Sequence, residues 1–353
     1  MIMILLLSGL NGFAQEKISL LSDFMYTRRD LPRYEEMKKE KDPQKLAALL
    51  IEFMKERPIN RLVPFIIQDY QAAIVGHLNK KEWDRVISMA DAMMAVLPTE
   101  KAVDQAIKEG DVTVVDNNVV EFNKQVQAAR QAMQQAILTA YYSSGNWPKA
   151  AEIQERLLAA APSLQGVQLL AEIYLQMQNF DKYVENAQKI MKESPVTQPL
   201  GFSTAYQVAR IHLQRNNLPA ATEIYRSLMN AYGDKLPEGL TAAQWNPERV
   251  IGYTLLAQEP YRNKDYAKAI ELFERVLKAD PSNGDAYYYI GMSRWQTSGQ
   301  DSAVEPFARS VVLNGATAAN ARQYLEQIYK AKNNDSLEGL DAVLAKAKAA
   351  LGR

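Results

Sequence analysis

Apolar and polar positions along this chain alternate with a helical period, and the periodic segments are divided by short polar breaks. The breaks read LNKKEW, SSGNWP, QMQNF, QRNNLP, RNKDY and QTSGQ. On either side, apolar residues recur three and four places apart, which puts them on one face of an α-helix. The pattern predicts a series of helix–turn–helix hairpins. At one fixed place in the six breaks stand Glu82, Asn146, Asn179, Asn217, Asp265 and Gly299. Four of these are Asn or Asp, whose side-chain oxygen accepts from the free backbone N–H groups of the helix that follows. Pro148 and Pro219 come two places later, in a first turn where a missing N–H costs nothing. Pro98, Pro162, Pro195 and Pro281 close units, because a helix does not continue through proline.

Units start near residues 131, 164, 202, 250 and 284, and a weaker one covers 67–98. The clearest carries Tyr287, Ile290, Gly291, Ala303 and Phe307, after Ala269, Phe273 and Pro281 of the unit before. Others carry Ile137, Tyr141, Ala150 and Pro162; Leu170, Ala171, Tyr174, Ala187 and Pro195; and Ala209, Ala221, Tyr225 and Leu228. This phrase resembles the tetratricopeptide repeat, a helix–turn–helix unit of about 34 residues. The resemblance covers a little over half the chain and implies an all-α, right-handed superhelical solenoid. Three departures predict local distortion. Val86 and Tyr183 stand where a small residue opens the second helix, and Pro260 falls where it would break a first helix.

One hairpin cannot cover its own apolar faces, so stacked neighbours supply the core. In this frame Tyr287 points into its own unit. Tyr289, about 200° further round the helix, leans on the preceding unit. Tyr288 lies between these directions and looks into a concave groove, where it does not hold the array together. Gly291 and Ala303 face each other where the two helices of one unit meet, and Ala347 in the last helix is expected on the solvent side.

The expected organisation is a signal peptide over 1–14, an N-terminal helical cap over 15–66 and a divergent repeat over 67–98. There follow an excursion or linker over 99–130, the repeat array over 131–315, and C-terminal capping helices over 316–353. The excursion holds VTVVDNN, the one strand-like stretch, and residues 234–249 lengthen one connection between repeats.

Composition narrows the function. The chain has 41 basic and 41 acidic residues, so no basic field exists to collect phosphate backbones, and nucleic acid is not an expected partner. There is no cysteine, which removes disulfides, thiolate metal sites and thiol catalysis. Ile2 to Leu10 is an apolar run too short to span a bilayer, followed by Gly12-Phe13-Ala14. That order resembles a secretory signal cleaved after Ala14, although no Lys or Arg precedes the run. Export to the periplasm or the outside is the expectation, and a cytoplasmic location the alternative if the segment is not a signal.

Candidate chemistry is sparse. His77 and His212, the only histidines, share one place in two different units, as packing residues with locally bonded rings would. No HExxH, glycine-rich phosphate loop or GxSxG elbow occurs, so no catalytic residue, metal ligand or cofactor site is expected. The remaining feature is the groove, which in the family is lined from the first helices. Here those positions include Gln71, Gln135, Tyr142 and Gln168, and then Tyr206, Arg210, Gln258, Tyr288, Met292 and Trp295. The last six are the candidate partner-binding residues. The expected function is a non-catalytic scaffold holding a protein or an extended peptide. The alternative is a carbohydrate-binding helical-repeat protein of the bacterial envelope, with Trp245 on its insert as a glycan contact.

Overall fold

The computed structural model describes residues 26–110 and 118–352. Among them there are helices and turns and no strand. The signal-like opening and most of VTVVDNN lie outside the described residues. After a π-helical turn at Tyr26–Asp30 come α1 (Leu31–Met37), α2 (Pro43–Glu56), α3 (Val63–Asn79), α4 (Trp83–Val96) and α5 (Glu100–Glu109). Next are α6 (Asn118–Ser143), α7 (Trp147–Ala160), α8 (Leu164–Gln176) and α9 (Phe180–Glu193). The chain continues as α10 (Pro199–Gln214), α11 (Leu218–Ala231), α12 (Ala242–Arg262) and α13 (Tyr266–Ala279). It ends with α14 (Gly284–Ser298), α15 (Gln300–Leu313), α16 (Ala318–Lys332) and α17 (Leu340–Ala350). Two compact units divide between Asn186 and Ala187.

The hairpin turns are built alike in both units. The N–H of Glu82, Asn146, Asn179, Asn217 and Asp265 donates to the carbonyl five residues back, on His77, Tyr141, Tyr174, His212 and Pro260, at 2.8 to 3.0 Å. The residue before each, Lys81, Gly145, Gln178, Asn216 or Lys264, is left-handed with φ between 55° and 77°. This is the Schellman closure of a helix end, with the second residue past the end serving as N-cap of the next helix. Asn179, Asn217 and Asp265 also accept from a backbone N–H three residues on. Lysine or glutamine at a left-handed position costs about 1 kcal/mol or more, which the two bonds of the closure offset.

The core follows the predicted frame. Ala150, Ala221, Ala269 and Ala303, one turn into each second helix, have no exposed surface. A Cβ added at Gly291 would stand 2.7 Å from the Phe307 ring, so that ring, four residues beyond Ala303, is what the glycine admits. In unit 2 one cluster joins α10 to α14 through Tyr225, Trp245, Tyr253 and Phe273, and a second joins α15 to α17 through Phe307, Leu325 and Leu340.

Several expectations change. The turns before Val86 and Tyr183 have the same bonds as the others, so the larger side chains do not disturb the hairpin; both are buried. Pro260 does not break its helix, because it stands in the last turn and α12 runs on to Arg262. Residues 118–130, expected as excursion, are the first half of the 26-residue α6. Arg130 fixes that half by donating to the carbonyls of Met94 and Pro98 at 3.2 and 3.3 Å, and to that of Leu97, at the C-terminal end of α4. The insert at 234–249 likewise ends as the opening of α12, where Thr241 and Gln244 form a capping box. Ala347 is buried against its neighbours, while Lys346 and Lys348 beside it are exposed.

Candidate partner-binding face

The positions predicted to line a groove fall mostly on a seam where one first helix meets the next. In unit 1, Tyr142 on α6 donates to Glu172 on α8 and meets Trp147 edge-on at 5.1 Å. Burial, then the Glu172 carboxylate, raises the Tyr142 hydroxyl. Gln71 is buried, and Gln135 and Gln168 are half-buried.

In unit 2, Tyr206 and Arg210 on α10 converge on Glu248 of α12. The Tyr206 hydroxyl donates to Glu248 Oε1 at 3.1 Å, and the Tyr225 hydroxyl of α11 donates to Oε2. Arg210 donates to the Tyr206 hydroxyl at 3.0 Å and lies 3.6 Å from Glu248 Oε1. Glu248 is 5% exposed, whereas the Arg210 side chain is 58% exposed. Burial, followed by the Glu248 carboxylate, pushes the Tyr225 hydroxyl well up. The Tyr206 hydroxyl, then Glu248, favours the charged Arg210 guanidinium. Beside this network Trp245 is buried against Phe202 and Tyr232, with ring centroids at 5.9 and 6.1 Å. It is core, so it offers no surface to a sugar ring.

Further along, Gln258 is exposed on α12, while Tyr288, Met292 and Trp295 on α14 are half-buried against the apolar cluster around Phe307. Tyr288 lies 6.0 Å from Phe307 and 6.4 Å from Tyr324; Trp295 lies 6.2 Å from Phe307 and 5.5 Å from Tyr324. The expectation that Tyr288 stands clear of the packing fails, because α16 supplies a neighbour for it. Tyr289 leans back as its place requires, flat on Phe273 at 5.1 Å and edge-on to Tyr261 at 5.2 Å. The structure thus gathers Tyr206 with Arg210, and Tyr288 with Met292 and Trp295, and leaves Gln258 alone.

Sequence reasoning missed three participants. Glu248 precedes the repeat frame by two residues, and Tyr324 lies in the segment set aside as a cap. Tyr261 occupies the same place as Trp295 one unit earlier, and that equivalence was available to find it. His77 has the locally bonded ring expected of a packing residue: it is buried with its Nδ1 bonded to Glu82. His212 is half-buried, and burial, with Arg215 adding, lowers its pKa. Among the described residues no three His, Asp or Glu side chains are grouped to hold a metal ion, and no helix is long and apolar enough to cross a membrane.

The family model described as tetratricopeptide repeat matches residues 254–336, which spans the last turns of α12 through α16. The chain carries tetratricopeptide repeats. Among solved structures, it is similar to the TPR2AB domain of yeast Sti1 in a pHSP90 complex, at 14% identity and TM-score 0.32, over 87% of this chain and 99% of that one. A tetratricopeptide repeat protein from Parabacteroides merdae matches at 12% identity and TM-score 0.31, over 80% and 98%. MamA from Desulfovibrio magneticus RS-1 matches at 14% and 0.29, over 51% and 93%. No curated protein matches. The assignment rests on the family match and on the repeated turn geometry, which the structural likenesses do not extend.

Proposed function

We propose that the protein is a non-catalytic scaffold that holds a protein partner or extended peptide along the first helices of unit 2. The observation that carries this reading is the exposed, pre-positioned Arg210. Its guanidinium lies over the Tyr206 ring at 5.6 Å and is held by the Tyr206 hydroxyl, so little side-chain freedom is lost when it meets a partner. Gln258 adds an exposed amide, and Tyr288, Met292 and Trp295 add half-buried apolar surface. The repeat match over α12 to α16 supports the same use of this face. The sugar-binding alternative loses its motivating residue with the burial of Trp245.

The test is affinity capture from native extract on the immobilised protein, then solution affinity for each captured partner. Arg210→Ala, Gln258→Ala and Trp295→Ala should weaken a true groove partner by about 1–3 kcal/mol where they act as anchors. A partner whose affinity ignores all three substitutions would place binding elsewhere.

We also propose export, motivated by the apolar run and the Gly12-Phe13-Ala14 sequence. The mass of the mature protein should begin at Gln15. Recovery of a chain starting at Met1 from the cytosolic fraction would rule this out.

A further inference from the structure

In unit 1 the turn from α1 into α2 leaves a cleft of about 400 Å³ beside α3, reaching the α3–α4 turn. Leu46, Ala72 and Ala73 give it an apolar side, and Gly76 keeps it open: a Cβ added there meets nothing within 4 Å. His77 also lines it. That residue is 6% exposed, with its Nδ1 bonded to the Glu82 carboxylate. Its Nε2 has no partner among the described residues and is not sealed from solvent. A ring nitrogen of a buried histidine therefore opens into the cleft unmatched.

The two ring nitrogens have different roles. The His77 bond above all, helped by the charge of Arg85, lowers the Glu82 pKa, so Glu82 is a carboxylate that only accepts and Nδ1 is the donor. In the neutral ring Nε2 is then an acceptor. The charges around the cleft differ in how far they are already met. Asp42 accepts from the N–H groups of Gln44 and Lys45, and Asp69 from Tyr34 and Lys38. Arg85 donates to the Gln44 amide oxygen at 3.0 Å. Lys41 and Lys80 make no hydrogen bond or ion pair with the described residues. The cleft thus offers free cations and a free acceptor. Four carboxylates against three lysine and arginine side chains keep its lining close to neutral.

We propose that this cleft binds a free α-amino acid, whose carboxylate meets Lys41 and Lys80, whose ammonium donates to His77 Nε2, and whose side chain lies along Leu46, Ala72 and Ala73. The two polar ends supply what the cleft lacks. A plain carboxylate would leave Nε2 without a donor, and a plain amine would leave the lysines without an anion. A zwitterion also adds no net charge to a lining that is already nearly balanced. The volume lies in the range of small-molecule sites. The cleft belongs to unit 1 and the scaffold reading to the first helices of unit 2, so neither rests on the other.

The test titrates each proteinogenic amino acid, at millimolar concentration, into the full chain by calorimetry, with the amide and the des-amino acid of every one that binds. At least one should bind, and both of its analogues should bind weaker by about tenfold or more. Gly76→Leu should fill the cleft and abolish binding while the melting temperature holds or rises, since leucine is the better helix former. Lys80→Met should weaken binding by about tenfold. Arg210→Ala and Trp295→Ala should leave it unchanged, and binding lost with either of them overturns the proposal. A chain that binds no amino acid overturns it, as do hits indifferent to Gly76→Leu or to Lys80→Met. A des-amino acid bound as well as its parent makes the cleft an anion site, and an amide bound as well makes it a cation site. Either result overturns the amino-acid assignment without touching the scaffold reading.

Discussion

The guanidinium of Arg309 lies over the ring of Tyr287, 5.4 Å from its centroid, and donates to its hydroxyl at 3.1 Å. One hairpin earlier Arg275 stands over Tyr253 at 5.5 Å and donates at 3.3 Å. In both pairs the arginine comes 22 residues after the tyrosine, on the partner helix of the same hairpin. The repeat therefore copies a cation–π contact as well as an apolar spacing. Tyr287→Ala should open a cavity and cost roughly 3 kcal/mol or more. Tyr287→Phe, which keeps the ring under Arg309, should cost only about 1 kcal/mol. Chemical denaturation of the two variants checks this, and equal losses would mean that the ring adds nothing beyond its hydroxyl bond.

Close approach of helices gives the second prediction. Ala303 has no exposed surface and Ala347 has 5%, so neither site has room for a larger side chain. Ala303→Leu and Ala347→Leu should each overpack and cost about 1–3 kcal/mol. Gly291→Ala should fall in the same range, since its new methyl meets the Phe307 ring. Calorimetry decides the matter. A wild-type melting temperature for Ala347→Leu would show that α17 does not dock on α15 and α16.

Glu248 carries the third prediction. Its carboxylate is taken out of water but keeps two phenol donors and a nearby guanidinium. Glu248→Ala leaves Tyr206 and Tyr225 without an acceptor and should cost about 1–3 kcal/mol for each donor so stranded. Glu248→Leu with Tyr225→Phe removes donor and acceptor together and should recover part of that loss. A double variant no more stable than Glu248→Ala would contradict the network.

Much of this fold was legible in the sequence because a hairpin turn is a local object. The left-handed residue, the N-cap and the closing proline sit within a few places of one another, so Asn217 and Asp265 identify their roles without tertiary knowledge. The face was less legible, because what a first-helix side chain touches depends on the helix beside it. The repeat frame leaves Tyr288 free because Tyr324 lies outside it, and Ala347 exposed because the docking of α17 on α15 has no signature in spacing. Glu248 belongs to an irregular connection that no repeat predicts. Two extra turns of helix place it under Tyr206, and a charge there reads as solvated until that length is known.

The last prediction concerns pH. His212 has its pKa lowered by burial and, secondarily, by Arg215. In the unfolded chain an imidazole titrates near about 6.5. The folded protein holds His212 neutral to a lower pH, so between the two values the unfolded state binds more protons. Stability then falls with falling pH in that window, and the contribution is intact above it. Carboxylates such as Glu155 and Glu271, held low by hydrogen-bonded partners, add their own loss only at more acidic pH. His212→Gln keeps a polar side chain of similar reach and removes the titration. The difference in unfolding free energy between wild type and this variant should be flat above about pH 7.5 and change against the wild type as pH falls to about 5. Comparing the two proteins cancels the titrations they share. A difference that stays constant across the range, or shifts in favour of the wild type on acidification, would mean that His212 is no harder to protonate folded than unfolded, and that its burial does not desolvate the ring.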